Sequence, residues 1–389
     1  MQIEDYFAKC EPIKKGRKTM VILDVCLDNF YAFKNFHMNL TYPKKIVGSS
    51  IGDEHLAGHP NFRYKKVNII MGGNASGKTT FGYMLMNIFN FIERKNYELL
   101  ADAINDRTKE AFFSVDMVVR SSYLYRIACK ITPATDEKYT PDNFVLEVRK
   151  GNIARNDSYE SCIKKLDSTE YVRADNYIEE LEKIEKLDWM FEHPEDTKRT
   201  LILPDKDEKF RAVLENILKA LDPSILSVAI SKEVKRAYVV HLKDRDVVLQ
   251  HGERFTTTVL SSGTKAGVEV ARVISSLKQR HVSFCYCDEK FPYIHSDMEK
   301  ASLSLMIELL PPNSQLFFTT HNTDILDMNL PKHSFTFMRK DAENTECPIT
   351  SIEASSLLKR NTDSLKNAVE NDLFSCAPAV DLIYAITDL

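Results

Sequence analysis

A glycine-rich run with the spacing of a phosphate-binding loop is the stretch of this sequence most able to do chemistry. Residues Gly72-Gly73-Asn74-Ala75-Ser76-Gly77-Lys78-Thr79-Thr80 fit the pattern G-x-x-x-x-G-K-[ST]. Glycines let the backbone come close to a phosphate, and successive N–H groups at the start of a helix attract anions. We therefore expect residues 72–80 to hold the phosphates of a nucleoside triphosphate.

Two side chains of this run have expected roles of their own. The ammonium group of Lys78 would bridge the β- and γ-phosphates, and the Thr79 hydroxyl would be a ligand of Mg²⁺. Residues 67–70 favour a strand, and apolar residues between positions 81 and 92 recur at helical spacing. Strand, loop and helix in this order are the context that the pattern needs. A turn that contains lysine by coincidence is the alternative.

A short apolar run that ends in two carboxylates lies further along the chain. Residues 284–287 read as a buried strand, and Asp288 and Glu289 follow directly. After a phosphate-binding loop, this is the Walker B pattern. Asp288 would complete the Mg²⁺ shell, and Glu289 would orient or deprotonate the attacking water.

A third apolar run, residues 315–318, is followed by Thr319, Thr320 and His321. Polar groups at the ends of parallel strands face the ligand crevice, so His321 is placed to sense the γ-phosphate. A histidine with a purely structural role is the alternative.

The run Leu260-Ser261-Ser262-Gly263-Thr264 precedes a helical stretch at residues 265–277. Hydroxyls and N–H groups at a helix start form a second candidate anion site, at Ser261 and Gly263. An ordinary serine N-cap is the competing interpretation.

The other elements follow from hydrophobic periodicity. Residues 18–42 read as two β segments, residues 48–61 as a surface loop, and residues 111–149 as an antiparallel meander of three strands. Residues 168–222 read as mainly helical, with apolar stripes over positions 177–191 and 210–221. The predicted division is an N-terminal lobe (1–165), a mainly helical insertion returning to β (166–245) and a C-terminal lobe (246–389).

Composition places few limits on function. The 389 residues include 52 basic and 56 acidic side chains, a net charge of −4, so the whole chain has no bias toward polyanions. A local basic face for nucleic acid stays open. The N-terminus lacks the apolar core of a signal peptide, and no apolar run reaches the length of a membrane span. We expect a cytoplasmic protein whose eight scattered cysteines are reduced and mostly buried.

The order of the four motifs resembles that of ABC-type ATPase heads, whose signature usually reads LSGGQ where this chain has LSSGT. The closer resemblance is to the stand-alone bacterial branch grouped with SMC/RecF-like and OLD-type ATPases, many of them found in abortive-infection and antiphage systems. In that branch the loop often reads G-x-N-x-x-G-K-[ST], which Asn74 matches, and His295 matches a histidine after the carboxylate pair. The resemblance implies an α/β fold: a mixed core sheet flanked by helices, with an antiparallel β subdomain and a short helical insertion.

The resemblance also implies an ATPase that works as a head-to-tail homodimer with two ATP molecules between its subunits. A higher oligomer is the alternative. It implies that ATP is bound by Lys78 together with Ser261 and Gly263 of the partner subunit. Mg²⁺ would be held by Thr79 and Asp288, and hydrolysis would be organised by Glu289 and His321. Turnover would be slow and regulatory. It would control a separate effector protein in antiphage defence.

Some features depart from the family pattern. No glutamine lies between Thr79 and Gln250, so the Q-loop glutamine is absent or replaced. Only 389 − 321 = 68 residues follow His321, too few for the Toprim nuclease domain of OLD proteins. The alternatives are a RecF/SMC-like DNA-repair ATPase with basic stretches at residues 14–18 and 232–236, a transporter subunit, and a nucleotide-binding scaffold without turnover.

Overall fold

The computed structural model describes residues 19–134, 138–168, 172–174, 177–193, 200–253, 260–291, 293–360, 363–376 and 381–388. The basic stretch at residues 14–18 therefore lies outside the described residues.

Within the described ranges the strands are β1 (Met20–Asp28), β2 (Phe36–Asn39), β3 (His55–Leu56), β4 (His59–Arg63), β5 (Val67–Met71), β6 (Ala111–Val119), β7 (Tyr123–Ile131), β8 (Phe144–Asn152), β9 (Val172–Ala174), β10 (Trp189–Glu192), β11 (Ile225–Ile230), β12 (Ala237–Leu242), β13 (Asp246–Gln250), β14 (Phe284–Asp288), β15 (Gln315–Thr319), β16 (Phe335–Lys340) and β17 (Ile349–Glu353). The α-helices of the same ranges are α1 (Lys78–Arg94), α2 (Glu98–Asp102), α3 (Tyr159–Asp167), α4 (Tyr177–Glu182), α5 (Glu208–Leu221), α6 (Ser262–Lys278), α7 (Ser296–Leu309), α8 (Ala354–Leu357), α9 (Leu365–Glu370) and α10 (Asp381–Tyr384). Short 3₁₀ turns occur at Pro141–Asn143, Thr323–Asp327, Lys332–Ser334 and Ala385–Asp388.

The described chain forms two compact units. The large unit contains Lys18–Phe191, Ser283–Asp288 and Pro312–Leu389, and the small unit contains Glu192–Val282 and Glu289–Pro311. The predicted division into three lobes stays a prediction.

The large unit contains a mainly parallel sheet with the strand order β10-β14-β15-β5-β16-β17. Strands β14, β15, β5 and β16 run parallel, and β17 pairs antiparallel with β16. Every residue of β5, β14 and β15 is buried. Parallel strands covered on both faces have this continuous apolar character.

A second sheet of the large unit is antiparallel, in the order β2-β1-β6-β7-β8-β9. The predicted meander of β6, β7 and β8 is confirmed, as is the pair of β segments before the glycine-rich loop. One apolar core joins residues of both sheets through α1. Phe89 of α1 contacts Phe284 of β14, with ring centroids 5.4 Å apart, and Phe91 contacts Phe113 of β6 at 6.0 Å. A helix buried on most of its circumference needs such partners on several sides.

The small unit combines α5, α6 and α7 with the antiparallel sheet β11-β12-β13. The predicted apolar stripe of α5 is confirmed at Phe210, Leu214 and Leu218, which are all buried. Helices α5 and α6 pack closely at Gly267, where a β-carbon would lie only 2.4 Å from Leu221 Cδ1.

Two sequence predictions about secondary structure are wrong. The helix expected over residues 177–191 ends at Glu182, and Trp189–Glu192 forms strand β10 beside β14. The aromatic residues there favour a strand, and the edge of the parallel sheet supplies the partner that the periodicity of a single segment does not reveal. The segment at residues 48–61, expected to be a loop, contains β3 and the first residues of β4, which pair as a hairpin.

None of the described cysteines forms a disulfide bond, and Cys129, Cys162, Cys285 and Cys287 are buried. Within the described ranges, no helix is both long enough and apolar enough to cross a membrane.

Candidate functional site

The carboxyl ends of three parallel strands meet at one edge of the sheet in the large unit. The register pairs Asp288 with Thr319, and Thr319 with Ile70. The glycine-rich loop begins two residues after Ile70, and His321 lies two residues after Thr319. Three of the four sequence motifs are therefore side by side at the edge where parallel α/β sheets bind ligands.

The loop between β5 and α1 depends on its glycines. Gly72 has a φ of 154°, and a β-carbon there would lie 2.1 Å from the carbonyl oxygen of Met338 in β16. Gly77 is the N-cap of α1 with a φ of 100°, and Ala75 also has a positive φ, of 61°. These left-handed conformations wind the chain into a tight turn that only residues with small side chains adopt readily.

The start of α1 is a helix N-terminus without a side-chain cap among the described residues. The first N–H groups of any helix have no partner within the helix, so they can bind an anion. Asn74 and Ala75 are exposed at the tip of the loop, Ser76 is buried, and Thr79 and Thr80 are half-buried in the first turn of α1.

Lys78 directs its ammonium group back into the loop. Its Nζ donates to the carbonyl oxygens of Gly72 (3.0 Å) and Gly73 (3.2 Å), and the side chain is almost fully buried. His321 Nε2 lies 3.3 Å from the same Nζ. Because an ammonium group can only donate, a hydrogen bond between these two atoms requires Nε2 to be the acceptor.

Asp288 is fully buried at the end of β14 and accepts a hydrogen bond from the Thr319 hydroxyl of β15. The following residue, Glu289, has a φ of 43°. A left-handed conformation is uncommon for a residue with a side chain, and here it turns the chain sharply as the strand ends.

Tyr286 supports the site, although the sequence did not single it out. The Tyr286 hydroxyl of β14 donates to the Lys78 carbonyl oxygen at 2.6 Å, and the Tyr286 ring lies against Gly82, where a β-carbon would be 2.6 Å from Cε1. Tyr286 therefore holds the first turn of α1 against the strand that carries Asp288. Its position two residues before Asp288 was the one available signal.

The C-terminal segment also reaches the loop. A β-carbon at Gly73 would lie 3.4 Å from the Cys376 carbonyl oxygen, and Phe374 stacks on Phe337 of β16 with ring centroids 3.9 Å apart. Burial raises the pKa of the Cys376 thiol to about 11, and Asp372 adds to this shift while Arg339 and Lys78 oppose it. No local pattern marks Cys376 as a neighbour of the loop.

The signature residues belong to the small unit. Ser261 is the N-cap of α6, and its Oγ accepts from the Thr264 N–H at 3.1 Å. Gly263 lies in the first turn, where a β-carbon would be 2.8 Å from the Tyr293 carbonyl oxygen. The helix begins at Ser262, three residues earlier than predicted. His295 is the N-cap of α7 and accepts from the Asp297 N–H at 3.2 Å, which is a structural role.

A buried ion cluster of the small unit connects α6 to the residue after Glu289. Lys290 pairs with Glu269 of α6, and its Nζ lies 3.9 Å from Glu192 Oε2. Arg272 of α6 pairs with the same Glu192. The side chains of Lys290 and Glu192 are 1% and 2% exposed. Because a buried charge is costly unless it is paired, each of these charges needs its partners to stay buried.

The large unit thus brings together the glycine-rich loop, Lys78, Asp288 and His321, whereas Ser261, Gly263 and Glu289 belong to the small unit. The roles expected of these residues remain predictions.

No protein-family profile and no curated protein matches this sequence. Among solved structures, an Smc head bound to the C-winged helix domain of ScpA matches with a TM-score of 0.50 and 13% identity, over 87% of this chain and 99% of that chain. The SMC head domain from Thermotoga maritima matches with a TM-score of 0.39 and 10% identity, over 85% of this chain and 98% of that chain. A third match is an Smc head domain with an extended coiled coil, bound to the C-terminal domain of ScpA and derived from Pyrococcus furiosus. Its TM-score is 0.48 and its sequence identity is 11%, over 87% of this chain and 98% of that chain.

The first of these matches shows the fold. The chain has the α/β architecture of an SMC head, an ABC-type P-loop ATPase fold, in which a mixed core sheet is accompanied by an antiparallel one. The fold prediction is confirmed.

Proposed function

We propose that this chain binds ATP with Mg²⁺ and hydrolyses it slowly. The observation that carries the proposal is the position of Lys78 Nζ, held by the Gly72 and Gly73 carbonyl oxygens and 3.3 Å from His321. A phosphate entering the loop offers this ammonium group a charged acceptor in place of neutral carbonyls.

The loop suits a phosphate group on structural grounds. Gly72 and Gly77 keep the turn tight, because a β-carbon at either position would lie within 3.0 Å of a neighbouring atom, and the N-terminus of α1 offers backbone donors. The Thr79 hydroxyl and the Asp288 carboxylate are oxygen ligands of the kind that Mg²⁺ prefers. When bound, Mg²⁺ would neutralise negative charge on the β- and γ-phosphates. Glu289 would take the proton of the attacking water, and His321 would contact the γ-phosphate.

Purified protein tests this proposal through ATP binding and phosphate release. We expect Lys78→Ala to weaken ATP binding about 10- to 100-fold, because a hydrogen bond to a charged group contributes about 1.5–3 kcal/mol. Glu289→Gln should retain binding and lower turnover by about 100-fold or more. Lys109→Ala removes a lysine whose side chain is 74% exposed and serves as the matched control. Equal ATP affinity for Lys78→Ala and Lys109→Ala would refute the proposal.

We also propose that ATP joins two copies head to tail, with Ser261 and Gly263 of the partner subunit on the γ-phosphate. Support comes from the motif order and from the exposure of Ser261 at the start of α6. Although the Ser261 hydroxyl caps α6, the exposed first turn of a helix is suited to a phosphate supplied by another subunit, because its N–H groups attract anions.

The finer proposal is that this dimer controls a separate effector protein in antiphage defence. The resemblance to the stand-alone bacterial branch supports it, and the fold match to a head that binds ScpA supports a protein partner. Phage infection of cells that carry the complete locus is the test. Loss of protection with Lys78→Ala, but not with Lys109→Ala, is expected, and equal protection would contradict this role.

A RecF/SMC-like DNA-binding ATPase is the second candidate, and the fold match is equally compatible with it. Exposed Lys232 and Lys235 lie between β11 and β12. Duplex binding that weakens steeply with salt would favour this candidate, because release of counterions drives such binding.

A further inference from the structure

Four polar side chains form a square on one face of the paired strands β1 and β2. The antiparallel register places Asp24 opposite Asn39 and Cys26 opposite His37. Alternate residues of a strand point to the same face, so all four side chains share a face. The intervening residues of both strands are buried, which puts the square on the side away from the core.

Three of these side chains have ligand atoms close together. The nearest ligand atoms of Asp24, Cys26 and His37 all lie within 4.8 Å of one another. His37 Nε2 is 2.8 Å from Asp24 Oδ2, and Cys26 Sγ is 3.8 Å from Asp24 Oδ1. Two ligand atoms of a tetrahedral Zn²⁺ lie roughly 3–4 Å apart, as follows from Zn–S and Zn–N bonds of about 2.3 and 2.0 Å.

We propose that Asp24, Cys26 and His37 bind a transition-metal ion of the zinc class. A carboxylate, a thiolate and an imidazole are the mixed ligand set that Zn²⁺ and Co²⁺ accept, whereas Mg²⁺ and Ca²⁺ require oxygen. The fourth position is left for water or an external ligand. The site is separate from the residues that would hold ATP, and the proposal does not rest on ATP binding.

Neighbouring groups favour a cation at this position. In the register of β1 and β6, Asp116 lies opposite Asp24, so a second carboxylate borders the square. The neighbouring guanidinium of Arg126 is engaged by Asp116 through two hydrogen bonds of 2.8 Å. A dication bound by the three side chains would be the largest local charge and would favour the thiolate form of Cys26.

The square also has the support and the access that a metal site needs. Asn39 Nδ2 donates to Asp24 Oδ2 at 3.0 Å, an outer contact that orients the carboxylate. The His37 side chain is 57% exposed, so an ion can reach the site from solvent. The paired strands fix the Cα positions of all three ligand residues, so a metal needs only small side-chain rotations.

Titration of the tag-free, full-length protein with Co²⁺, without nucleotide, tests the proposal. We expect one ion per chain and the absorption band of thiolate bound to cobalt, with Zn²⁺ displacing the cobalt. Cys26→Ser should abolish the band, and His37→Gln should weaken binding at least about tenfold. Cys347→Ser, which changes another partly exposed thiol, should bind as the wild type does.

A thiolate band of equal strength in Cys26→Ser, or the absence of any band in the wild type, would overturn the proposal. The His37 side chain is exposed on β2, the edge strand of its sheet, so His37→Gln is expected to fold even if Cys26→Ser does not. Undiminished Co²⁺ affinity in folded His37→Gln would overturn it equally.

Discussion

At the scale of single residues, Gly72 shows why the loop has its sequence. Its φ of 154° is unusual for a residue with a side chain, and the Met338 carbonyl oxygen occupies the space that a β-carbon would need. The strand beside β5 therefore selects glycine at the entrance of the loop, in addition to any demand from a phosphate.

Gly72→Ala should lower the free energy of unfolding by at least about 2 kcal/mol, because the new β-carbon forces β16 and the loop apart. It should also weaken ATP binding. Chemical denaturation measures the first effect and titration calorimetry the second. Gly52→Ala is the control, since no atom lies within 4 Å of its β-carbon position and its φ is not left-handed. Equal stability of the two variants would contradict the packing argument.

Glu93, on the last turn of α1, has surroundings that disfavour the charged form of its carboxyl group. Its carboxylate accepts from the Leu187 N–H at 2.9 Å and from Trp189 Nε1 at 3.1 Å. Burial nevertheless raises its pKa above the ordinary 4.5, more than these hydrogen bonds lower it. The folded protein therefore binds this proton more tightly than the unfolded chain does.

That difference predicts a pH effect with a definite sign. As pH rises from about 4.5 through the raised pKa, this group reduces the free energy of unfolding, because the folded state then loses a proton that it held more tightly. In Glu93→Gln this contribution disappears. The stability of the wild type relative to the variant should therefore fall with pH across that window in urea unfolding series. A pH-independent difference would contradict the assignment.

At the scale of elements, α6 carries the signature residues at its start and two members of the buried ion cluster further along. Glu269 and Arg272 hold Lys290 and Glu192, and Lys290 directly follows Glu289. The cluster therefore fixes the chain after Glu289 to the helix that begins with the signature.

Lys290→Met should reduce the free energy of unfolding by about 3–5 kcal/mol, because it removes the cation paired with Glu269 and leaves the buried Glu192 with Arg272 as its remaining cation in the cluster. Lys300→Met is the matched control, since Lys300 pairs with the exposed Asp297 at 2.9 Å and should contribute less than about 1 kcal/mol. Denaturant unfolding compares the two. Similar losses in both variants would show that the cluster does not stabilise this part of the fold.

At the scale of the whole molecule, the head-to-tail dimer that we propose would place each ATP between two copies of the chain. Such a site predicts complementation, because Lys78 and Gly263 would serve the same ATP from different subunits. A mixture of Lys78→Ala and Gly263→Val protein contains hybrid dimers with one intact site.

We expect each variant alone to lack ATP turnover and an equal mixture to recover about one quarter of the wild-type rate, as random pairing in a two-fold dimer requires. Phosphate release measured before and after mixing is the test. Gly52→Ala mixed with Lys78→Ala serves as a control for dilution of active chains. No recovery beyond the sum of the two variants would argue against shared sites.

What the sequence alone determined is local. The glycine-rich loop was predicted correctly between a strand and a helix, because its pattern and the flanking periodicity involve adjacent residues. The alternation in β6, β7 and β8 likewise predicted a meander, and the carboxylate pair was correctly placed at a strand end.

Which distant segments meet became evident from the folded chain. Strand β10 replaced a predicted helix because β14 offers it an edge, Tyr286 contacts Lys78 across two elements, and Cys26 faces His37 only through the register of β1 and β2. Pairing and packing between remote segments depend on the shape of the whole core. That information is distributed over the chain, so no single stretch of residues reveals it.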